Sequence, residues 1–555
     1  MVSRLHGPNM VSPFAGWPMQ LGLLLGLLVS MVVVWGLDRP RGRWGRTLRK
    51  RFLFGIPWGT VVCVSGVIAV YLFVQDGWNH WYNPVTVAFA SWSYLYPLGM
   101  LTGPFSHVGP SHLLGNMTST LAVAPLAEYY FGHYPPNDGE TSFSSWRTNP
   151  WVRAFVLFPL GVVTIGLLTS IFSWGPVIGF SGVFFAFVGF ALVRYPLGTV
   201  IALSVQTVVS TLYSAFHDPQ TIAHATTSFS RPWWYGIAIQ GHTMGFFLGA
   251  VAGVYLLRSR GVRPSALRVW AGGFVVLVSS SLWALWWYRG METFVLFRAL
   301  GVLFVLTLAT LLAVAVRTTD QRTFSPSARQ VGTVLLLIPI IIMAGVAAPL
   351  NLTTVHRNRA DALDTGVTVG DYTVTYAENV PNRKVSVIDV SVGGETTDVN
   401  TSGVIVINPD REIWSREVSK GQLAYAGGAT VRVGGVGWAK TVKVRRTGWT
   451  VTGGSAAYQV WIRSPKGRWK HVFSSDSVTA SPVLAGNNVS IVPRKGRFVL
   501  RLSKNNSTVG TAPIPGKNST VTIDGIRFTR KKNNHIIAAV NDTRIEVTKK
   551  EQYGG

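Results

Sequence analysis

Apolar runs long enough to cross a lipid bilayer dominate the sequence from its N-terminus to about residue 350. A transmembrane helix needs roughly 20 predominantly apolar residues. Hydrophobic residues make up 48% of the 555-residue chain and charged residues only 13%, against about 25% charged residues in an average soluble domain. Ten runs qualify as predicted transmembrane helices, at 17–37, 53–74, 110–131, 153–173, 178–195, 197–216, 236–257, 269–288, 294–316 and 331–350.

The first of these runs has a second interpretation, because a short apolar stretch near an N-terminus is also typical of a cleaved signal peptide. Little positive charge precedes the run, no clear small-residue cleavage site follows it, and a dense basic stretch comes next. We therefore favour a retained helix.

The net charge of +27 is interpreted from where the Lys and Arg residues lie, because their positions predict the orientation of the helices in a membrane. The stretch 38–51, DRPRGRWGRTLRKR, holds seven basic residues and is expected on the cytoplasmic side by the positive-inside rule. Counting helices from there places the starts of the runs 178–195 and 236–257 at the outer face of a cell membrane, and the C-terminus outside. Binding to nucleic acid would need a basic domain in the cytosol, so we do not expect it.

After residue 350 the pattern changes to short stretches in which apolar and polar residues alternate, such as VTVGDYTVTYA and RKVSVIDVSV. Alternation with period two, broken by Gly, Asn and Pro, predicts antiparallel strands. We predict a soluble β-rich region over 351–555, with two sandwiches or barrels. Its positive charge makes an acidic surface partner a hypothesis, beside the alternative of a spacer. Several sequons agree with an external position: Asn351, Asn400, Asn488, Asn505, Asn506, Asn518 and Asn541.

One hydroxyl stands out in the run 178–195, where Ser181 lies between Gly179 and Gly182 in the sequence IGFSGVFFAFVGFA. At matching depth in another run lies His242, followed by glycines at a spacing of four. Small residues at this spacing let two helices approach closely, which would bring a serine hydroxyl to an imidazole as nucleophile and base. A serine that bonds to its own helix and a histidine that packs at the interface remain the simpler alternatives.

A third polar cluster lies in HVGPSHLLGNM, which holds His107, His112 and Asn116. His112 and Asn116 are four residues apart and share one face of a helix. Their donors, together with the backbone N–H of Ser181, suit the stabilisation of a developing oxyanion. Polar groups in membrane segments are costly and usually face a cavity or the bundle interior, although an interfacial position for both histidines is an alternative.

Taken together, these residues resemble the rhomboid family of intramembrane serine proteases, whose motifs match in order and by helix. The G-x-S-G motif reads Gly179-Phe180-Ser181-Gly182, and the H-x-x-x-x-H-x-x-x-N motif reads His107, His112 and Asn116. The glycine-rich motif around the base reads Gly241, His242, Gly245 and Gly249.

The resemblance implies a role for each matched residue. Ser181 would be the nucleophile, His242 the general base, and His112, Asn116 and the Ser181 N–H the oxyanion donors. His107 would support the junction between loop and helix. Where the family commonly has a tyrosine four residues after the serine, this chain has Phe185, which can stack on the base but has no hydroxyl.

The resemblance covers about 53–257, which predicts a rhomboid-like six-helix protease core within an α-helical polytopic membrane protein. The other segments lie outside it: 1–52 with one transmembrane helix and a basic cytoplasmic loop, 258–350 with three further transmembrane helices, and the extracytoplasmic region 351–555. The family's Trp-Arg pair in the first long loop is not present in 75–106, so the anchoring of that loop cannot be carried over.

The expected activity is hydrolysis of peptide bonds in single-pass transmembrane substrates near the outer face, through an acyl-enzyme and without a cofactor. The loop 217–235 is predicted to cap the site. Two alternatives stay open: an inactive rhomboid-like protein that binds membrane clients, and a transporter with a surface domain. A zinc protease is disfavoured because H-E-x-x-H is absent, although His107, His112 and His242 could be drawn as three ligands.

Overall fold

The computed structural model divides the chain into a helical part and a β-rich part. It describes residues 17–38, 43–134, 141–217, 232–262, 264–290, 293–317, 337–348, 366–382, 391–392, 395–396, 399–494 and 496–554. Each of the ten predicted transmembrane segments contains a helix within these residues. Their bounds are α1 Trp17–Asp38, α2 Trp58–Val74, α3 Pro110–Phe131, α4 Pro150–Ile171, α5 Ser181–Arg194, α6 Pro196–His217, α7 Ile239–Ser259, α8 Ala266–Ser279, α9 Arg298–Arg317 and α10 Leu337–Ala348.

Four of these helices, α1, α4, α6 and α9, are both long and apolar enough to cross a membrane by themselves. The others are shorter or more polar, and their apolar residues pack into one core in the middle of the bundle. Helix α5 is nearly enclosed by its neighbours. Its 14 residues span about 21 Å at 1.5 Å per residue, less than the roughly 30 Å of bilayer hydrocarbon. A helix of this length begins below one membrane surface if its other end lies at the opposite surface.

The boundaries predicted between the eighth and ninth segments are wrong. The segments 269–288 and 294–316 were expected to be continuous helices, but α8 ends at Ser279 and α9 begins at Arg298. Between them lies an antiparallel hairpin of strands β1 Trp286–Gly290 and β2 Thr293–Leu296. The aromatic residues of this segment suit a strand as well as a membrane helix, and they pack against the segment that precedes α7.

The β-rich part contains eighteen described strands. They are β3 Val367–Val369, β4 Tyr372–Pro381, β5 Ser391–Val392, β6 Glu395–Thr396, β7 Asn400–Asn408, β8 Ile413–Ser419, β9 Gly428–Gly435, β10 Trp438–Val451, β11 Ala456–Arg463, β12 Lys470–Ser474, β13 Val478–Leu484, β14 Asn487–Arg494, β15 Arg497–Lys504, β16 Ser507–Pro513, β17 Thr520–Ile523, β18 Ile526–Arg530, β19 His535–Val540 and β20 Thr543–Lys550. One short helix, α11 Lys420–Ala426, follows β8.

These strands enclose two hydrophobic cores. The first lies between the sheet β3-β4-β7-β8 and the strands β9 to β12. The second lies between the sheet β13-β14-β15-β16 and the strands β17 to β20. Strand β10 is long enough to serve both, since Val442 and Val444 face the first core and Trp449 and Val451 the second. The alternating pattern thus produces two packed β modules joined by a shared strand.

The first β module contacts the loop between α2 and α3. Val87, Trp92 and Tyr96 of that loop belong to the same buried cluster as residues of β4, β9 and β10. The β-rich part therefore lies on the same side of the helical bundle as the ends of α2 and α3 that this loop connects. Most of the predicted cap loop, at 218–231, and the sequon at Asn351 lie outside the described residues.

Candidate active site

Ser181 is the first residue of α5, and Ile178, three residues before it, packs against the core of the first β module. The backbone before it is irregular, and Gly179 has φ +131°, a conformation that side chains other than hydrogen rarely permit. A Cβ at Gly179 would lie 2.6 Å from Cε1 of His112. Glycine is therefore required there by its backbone conformation and by the nearby imidazole, and α5 begins three residues later than the apolar run predicts.

Helices α5 and α7 touch through glycines. A Cβ at Gly245 would lie 1.9 Å from the carbonyl oxygen of Gly182, and one at Gly249 would lie 1.9 Å from the carbonyl oxygen of Ala186. No real side chain tolerates such distances, so the backbones are in direct contact. In a membrane, where lipid tails are as apolar as side chains, this close packing is a main source of helix association.

This contact brings Ser181 and His242 together. The Ser181 Oγ lies 2.9 Å from Nε2 of His242, and both residues are half-buried. The ring of Phe185 stacks on the imidazole, with ring centroids 4.6 Å apart and 27° between the planes. The Nδ1 atom of His242 is buried and has no hydrogen-bond partner in the described part of the chain. The pair is thus oriented by a ring stack and not by a carboxylate.

The third cluster lies beside the backbone segment that leads to Ser181. His112 lies beside Gly179, two residues before the serine, and the Asn116 side chain lies near the same glycine. The Asn116 Nδ2 is 3.0 Å from Nε2 of His107, and the rings of His107 and His112 meet edge to face with centroids 4.9 Å apart. The structure therefore places all three polar residues of the motif next to the segment that carries Ser181.

A buried glutamine that the sequence analysis did not single out holds His107 in place. Gln75, at the end of α2, accepts a hydrogen bond from the His107 backbone N–H and donates to the His107 carbonyl, both at 2.8 Å. It also donates to the carbonyl of Val85 at 2.9 Å. The signal in the sequence was a lone amide at the end of an apolar run, which by itself does not indicate a partner.

The remaining predicted residues have packing roles. A Cβ at Gly182 would lie 3.1 Å from Thr169 of α4, so this glycine admits a second helix beside the serine. Trp234 packs against Trp286 and Phe294 of the hairpin, while Trp233 is exposed. The indole N–H of Trp286 donates to the carbonyl of Ile237 at 3.2 Å, which fixes the segment just before α7.

Within the part of the chain that the structure describes, no charged side chain forms a hydrogen bond or an ion pair with Ser181 or His242. The buried acid of these helices, Glu128, lies at the far end of α3, where it accepts hydrogen bonds from the N-terminus of α2 and contacts His133 at 2.6 Å. Among the described residues, no three His, Cys, Asp or Glu side chains are grouped as ligands for a metal ion. The arrangement of the site suits nucleophilic chemistry by a serine and a histidine.

Comparison with known families gives one match. The family model of the Rhomboid domain matches residues 91–259, a segment that contains Ser181, His242 and the motif of His107, His112 and Asn116. Comparisons with curated proteins and with solved structures found no match. Rhomboid domains are membrane-embedded, and the family consists generally of intramembrane serine proteases but includes inactive members. Residues 91–259 of the chain are therefore a rhomboid domain.

Proposed function

We propose that this protein is an intramembrane serine endopeptidase that hydrolyses peptide bonds of transmembrane substrates by a Ser181–His242 dyad. The observation that carries the proposal is the 2.9 Å contact between Ser181 Oγ and His242 Nε2. Acyl transfer by a serine requires a general base within hydrogen-bond reach of its hydroxyl. Both residues lie on helices whose glycines allow the two backbones to touch.

In the first step the Ser181 oxygen attacks the carbonyl carbon of the scissile amide, and its proton passes to Nε2 of His242. The tetrahedral intermediate collapses when the imidazolium gives this proton to the leaving amine, which leaves an ester on Ser181. A water molecule then attacks the ester with His242 again acting as base. The product acid leaves, and the serine hydroxyl is restored.

The negative charge that develops on the carbonyl oxygen requires donors. The Ser181 backbone N–H, at the start of α5, has no partner within its own helix, and the His112 and Asn116 side chains lie beside Gly179. A primary amide has two N–H groups, so Asn116 can donate one to His107 and the other to the oxyanion. We assign His107 the role of orienting Asn116.

A dyad suits this environment better than a triad. Serine and histidine are both neutral at rest, so their burial costs less than that of a carboxylate. The stack on Phe185 replaces the hydrogen bond by which an acid would orient the imidazole.

Substrates would be single-pass membrane proteins whose helix unwinds locally, because the amide carbonyls of an intact helix are engaged in hydrogen bonds. The basic residues at 38–51 favour a cytoplasmic position for the opposite end of the bundle. On this basis the active site opens near the outer membrane face and the β-rich region 351–555 lies outside the cell, where an acidic surface partner matches its positive charge.

The architecture that fits this activity is a six-helix protease core over 53–257, here α2 to α7. The segment 1–52 adds α1 and the basic loop, and the segment 258–350 adds α8 to α10 with the hairpin. This assignment divides ten helices into six for catalysis and four that surround them.

Two other functions make different predictions. An inactive rhomboid-like protein would bind membrane clients without cutting them, and such a role would not need the Ser181–His242 contact. A transporter would be expected to line its path with ionisable groups, whereas the carboxylate that is buried among the described helices, Glu128, lies at one end. We therefore favour the protease.

The proposal is tested by cleavage of a reporter single-pass protein in liposomes that contain the full chain. Ser181→Ala and His242→Ala are each expected to abolish cleavage while the protein keeps its thermal stability. The matched control is Ser204→Ala in α6, because the Ser204 hydroxyl donates to the Val200 carbonyl of its own helix, as a purely structural serine does. Cleavage by the Ser181→Ala protein at the wild-type rate would refute the mechanism. A wild-type protein that binds the reporter but never cuts it would favour the inactive alternative.

A further inference from the structure

The loop between α2 and α3 is shared by the two parts of the molecule. Three of its buried side chains, Val87, Trp92 and Tyr96, complete the hydrophobic core of the first β module. Hydrogen bonds within the loop also stabilise it. The Trp92 indole N–H donates to the Val87 carbonyl at 2.7 Å, and the Tyr96 hydroxyl donates to the Ala88 carbonyl at 2.8 Å. It is therefore a compact unit that one face of the β module covers.

An ion pair reinforces this contact. Arg432 of β9 reaches into the loop, where its guanidinium binds the carboxylate of Asp76 and donates to the carbonyl of Asn83 at 2.6 Å. The arginine side chain is only 3% exposed and Asp76 is 31% exposed. A buried guanidinium that loses its carboxylate is strongly unfavourable, so the pair defines one position of the loop on the β module.

The ion pair lies one residue away from Gln75, which holds His107. Gln75 binds both backbone groups of His107, and the His107 ring contacts Asn116 at 3.0 Å. A displacement of Asp76 would move its neighbour, and with it the histidine that orients Asn116. This is a continuous set of contacts from β9 to the proposed oxyanion donors.

A second set of contacts runs from the same loop to the nucleophile. The Ser91 backbone N–H donates to the Val177 carbonyl at 3.0 Å, and the Val177 N–H donates to the Ser91 hydroxyl at 3.1 Å. Ile178, the next residue, packs against the core that the loop shares with the β module. Val177 and Ile178 lead directly into Gly179 and Ser181, so the loop also fixes the entry to α5.

We propose that the first β module is a clamp that positions the active site through this loop, with Arg432 as a positioning residue. The inference rests on the proposed protease function and assigns the C-terminal region a part in it. The clamp replaces the Trp-Arg anchor that the loop lacks. Because it acts on the placement of reacting groups, its loss lowers kcat and leaves KM nearly unchanged.

The test compares Arg432→Gln with Arg468→Gln in the full chain, reconstituted in liposomes. Arg468 is an exposed residue of the same β module that has no part in the contact with the loop, so it controls for the loss of one positive charge. Two rates are measured: phosphonylation of Ser181 by a fluorophosphonate, and cleavage of the reporter protein. Arg432→Gln is expected to slow both by about ten- to a hundredfold, since a displacement of about 1 Å costs up to 10² in rate.

A double-variant cycle tests whether Arg432 acts through Asp76. Asp76 has φ 59°, a conformation that asparagine also accepts readily, so Asp76→Asn removes the charge with little strain. If both residues act through one contact, the double variant phosphonylates no more slowly than Arg432→Gln alone. Additive losses would overturn the proposed link.

A second variant keeps the test decisive if Arg432→Gln does not fold. Ser91→Ala leaves the β module untouched and removes the hydroxyl that binds Val177, and it is expected to slow phosphonylation severalfold. The clamp is refuted if Ser91→Ala and every folded Arg432 variant react like Arg468→Gln. A rise in KM with unchanged phosphonylation would also refute it, in favour of substrate recruitment. In both cases the effect of Ser181→Ala still reports separately on the protease function.

Discussion

Two contacts in this molecule hold the proposed active site, and they differ in the size of the residues that form them. Helices α5 and α7 meet inside the membrane through glycines, with backbone against backbone. The first β module meets the loop after α2 through bulky aromatic side chains and an ion pair whose arginine is buried. One contact excludes side chains and the other consists of them.

The difference in residue size follows from the surroundings of each contact, which are lipid for the helices and water for the β module. Within lipid there is little hydrophobic gain from joining two apolar helices, so association depends on close packing and small residues. In water, burial of apolar surface is favourable at about 25 cal/mol per Å², so large side chains hold the loop to the β module. The same site is therefore held by two kinds of interaction. Close backbone packing joins α5 and α7 in the membrane, whereas apolar burial and an ion pair hold the loop to the β module in water.

The largest loss of activity is expected from a substitution that prevents the close packing of α5 and α7. Gly249→Leu places a side chain where even a Cβ would lie 1.9 Å from the Ala186 carbonyl, so α5 and α7 must separate. We expect complete loss of Ser181 phosphonylation. The control is Gly66→Leu in α2, where a Cβ meets no atom within 4 Å; an equal loss in both variants would mean that the glycine contact has no special role.

A smaller effect is expected from removing one oxyanion donor without moving the helices. Asn116→Ala should lower kcat by about 10²–10³, the range found for one donor in soluble serine proteases. Its KM should change little. Full activity in this variant, measured with the reporter protein, would remove Asn116 from the proposed machinery.

The ring stack of Phe185 on His242 is expected to contribute less to the reaction rate than the oxyanion donor does. Phe185→Ala removes an aromatic contact of the kind that contributes about 0.5–1.5 kcal/mol, which corresponds to a loss of roughly two- to tenfold in rate. Phe185→Tyr keeps the ring and is expected to react like the wild type. If alanine and tyrosine behaved alike, the stack would not orient the base.

The last effect is on stability and not on rate, and it concerns the carboxylate of Asp76 in the contact with the β module. Burial tends to raise the pKa of Asp76, but hydrogen bonds from Asn79 and Arg432 and the nearby positive charges outweigh it and hold the pKa below its ordinary value. A carboxylate with a lowered folded-state pKa stabilises the fold fully above its unfolded pKa, and this contribution is lost as the pH falls through the folded pKa.

The melting temperature of the wild type should therefore exceed that of Asp76→Asn at neutral pH. The margin should shrink as the pH falls through and below the ordinary carboxyl range. A margin that still grows as the pH falls through that range would contradict the assigned shift of the pKa.

The sequence predicted the membrane side of this site better than the aqueous side, for a physical reason. Glycine spacing and isolated polar residues in apolar runs are local signals, and they pointed to Ser181, His242 and Asn116, which the structure places close together. The start of α5 was placed too early because hydropathy does not report the positive φ of Gly179. The hairpin 286–296 was missed because aromatic residues suit both a strand and a membrane helix.

The clamp, in contrast, could not be predicted. Asp76 and Arg432 are 356 residues apart, and nothing in a single sequence indicates which of 50 basic residues meets a given aspartate. The alternating pattern predicted a β-rich region, and the structure describes one, but a pattern of strands does not reveal the surface on which they dock.

The central claim is that Ser181 is a nucleophile activated by His242, and one measurement tests it directly. The full chain in liposomes is treated with a fluorophosphonate, digested, and analysed by mass spectrometry for the site of the adduct. We predict a single adduct on the peptide that contains Ser181, and its loss in His242→Ala. An adduct on another residue, or equal modification of Ser181 with and without His242, would contradict the account.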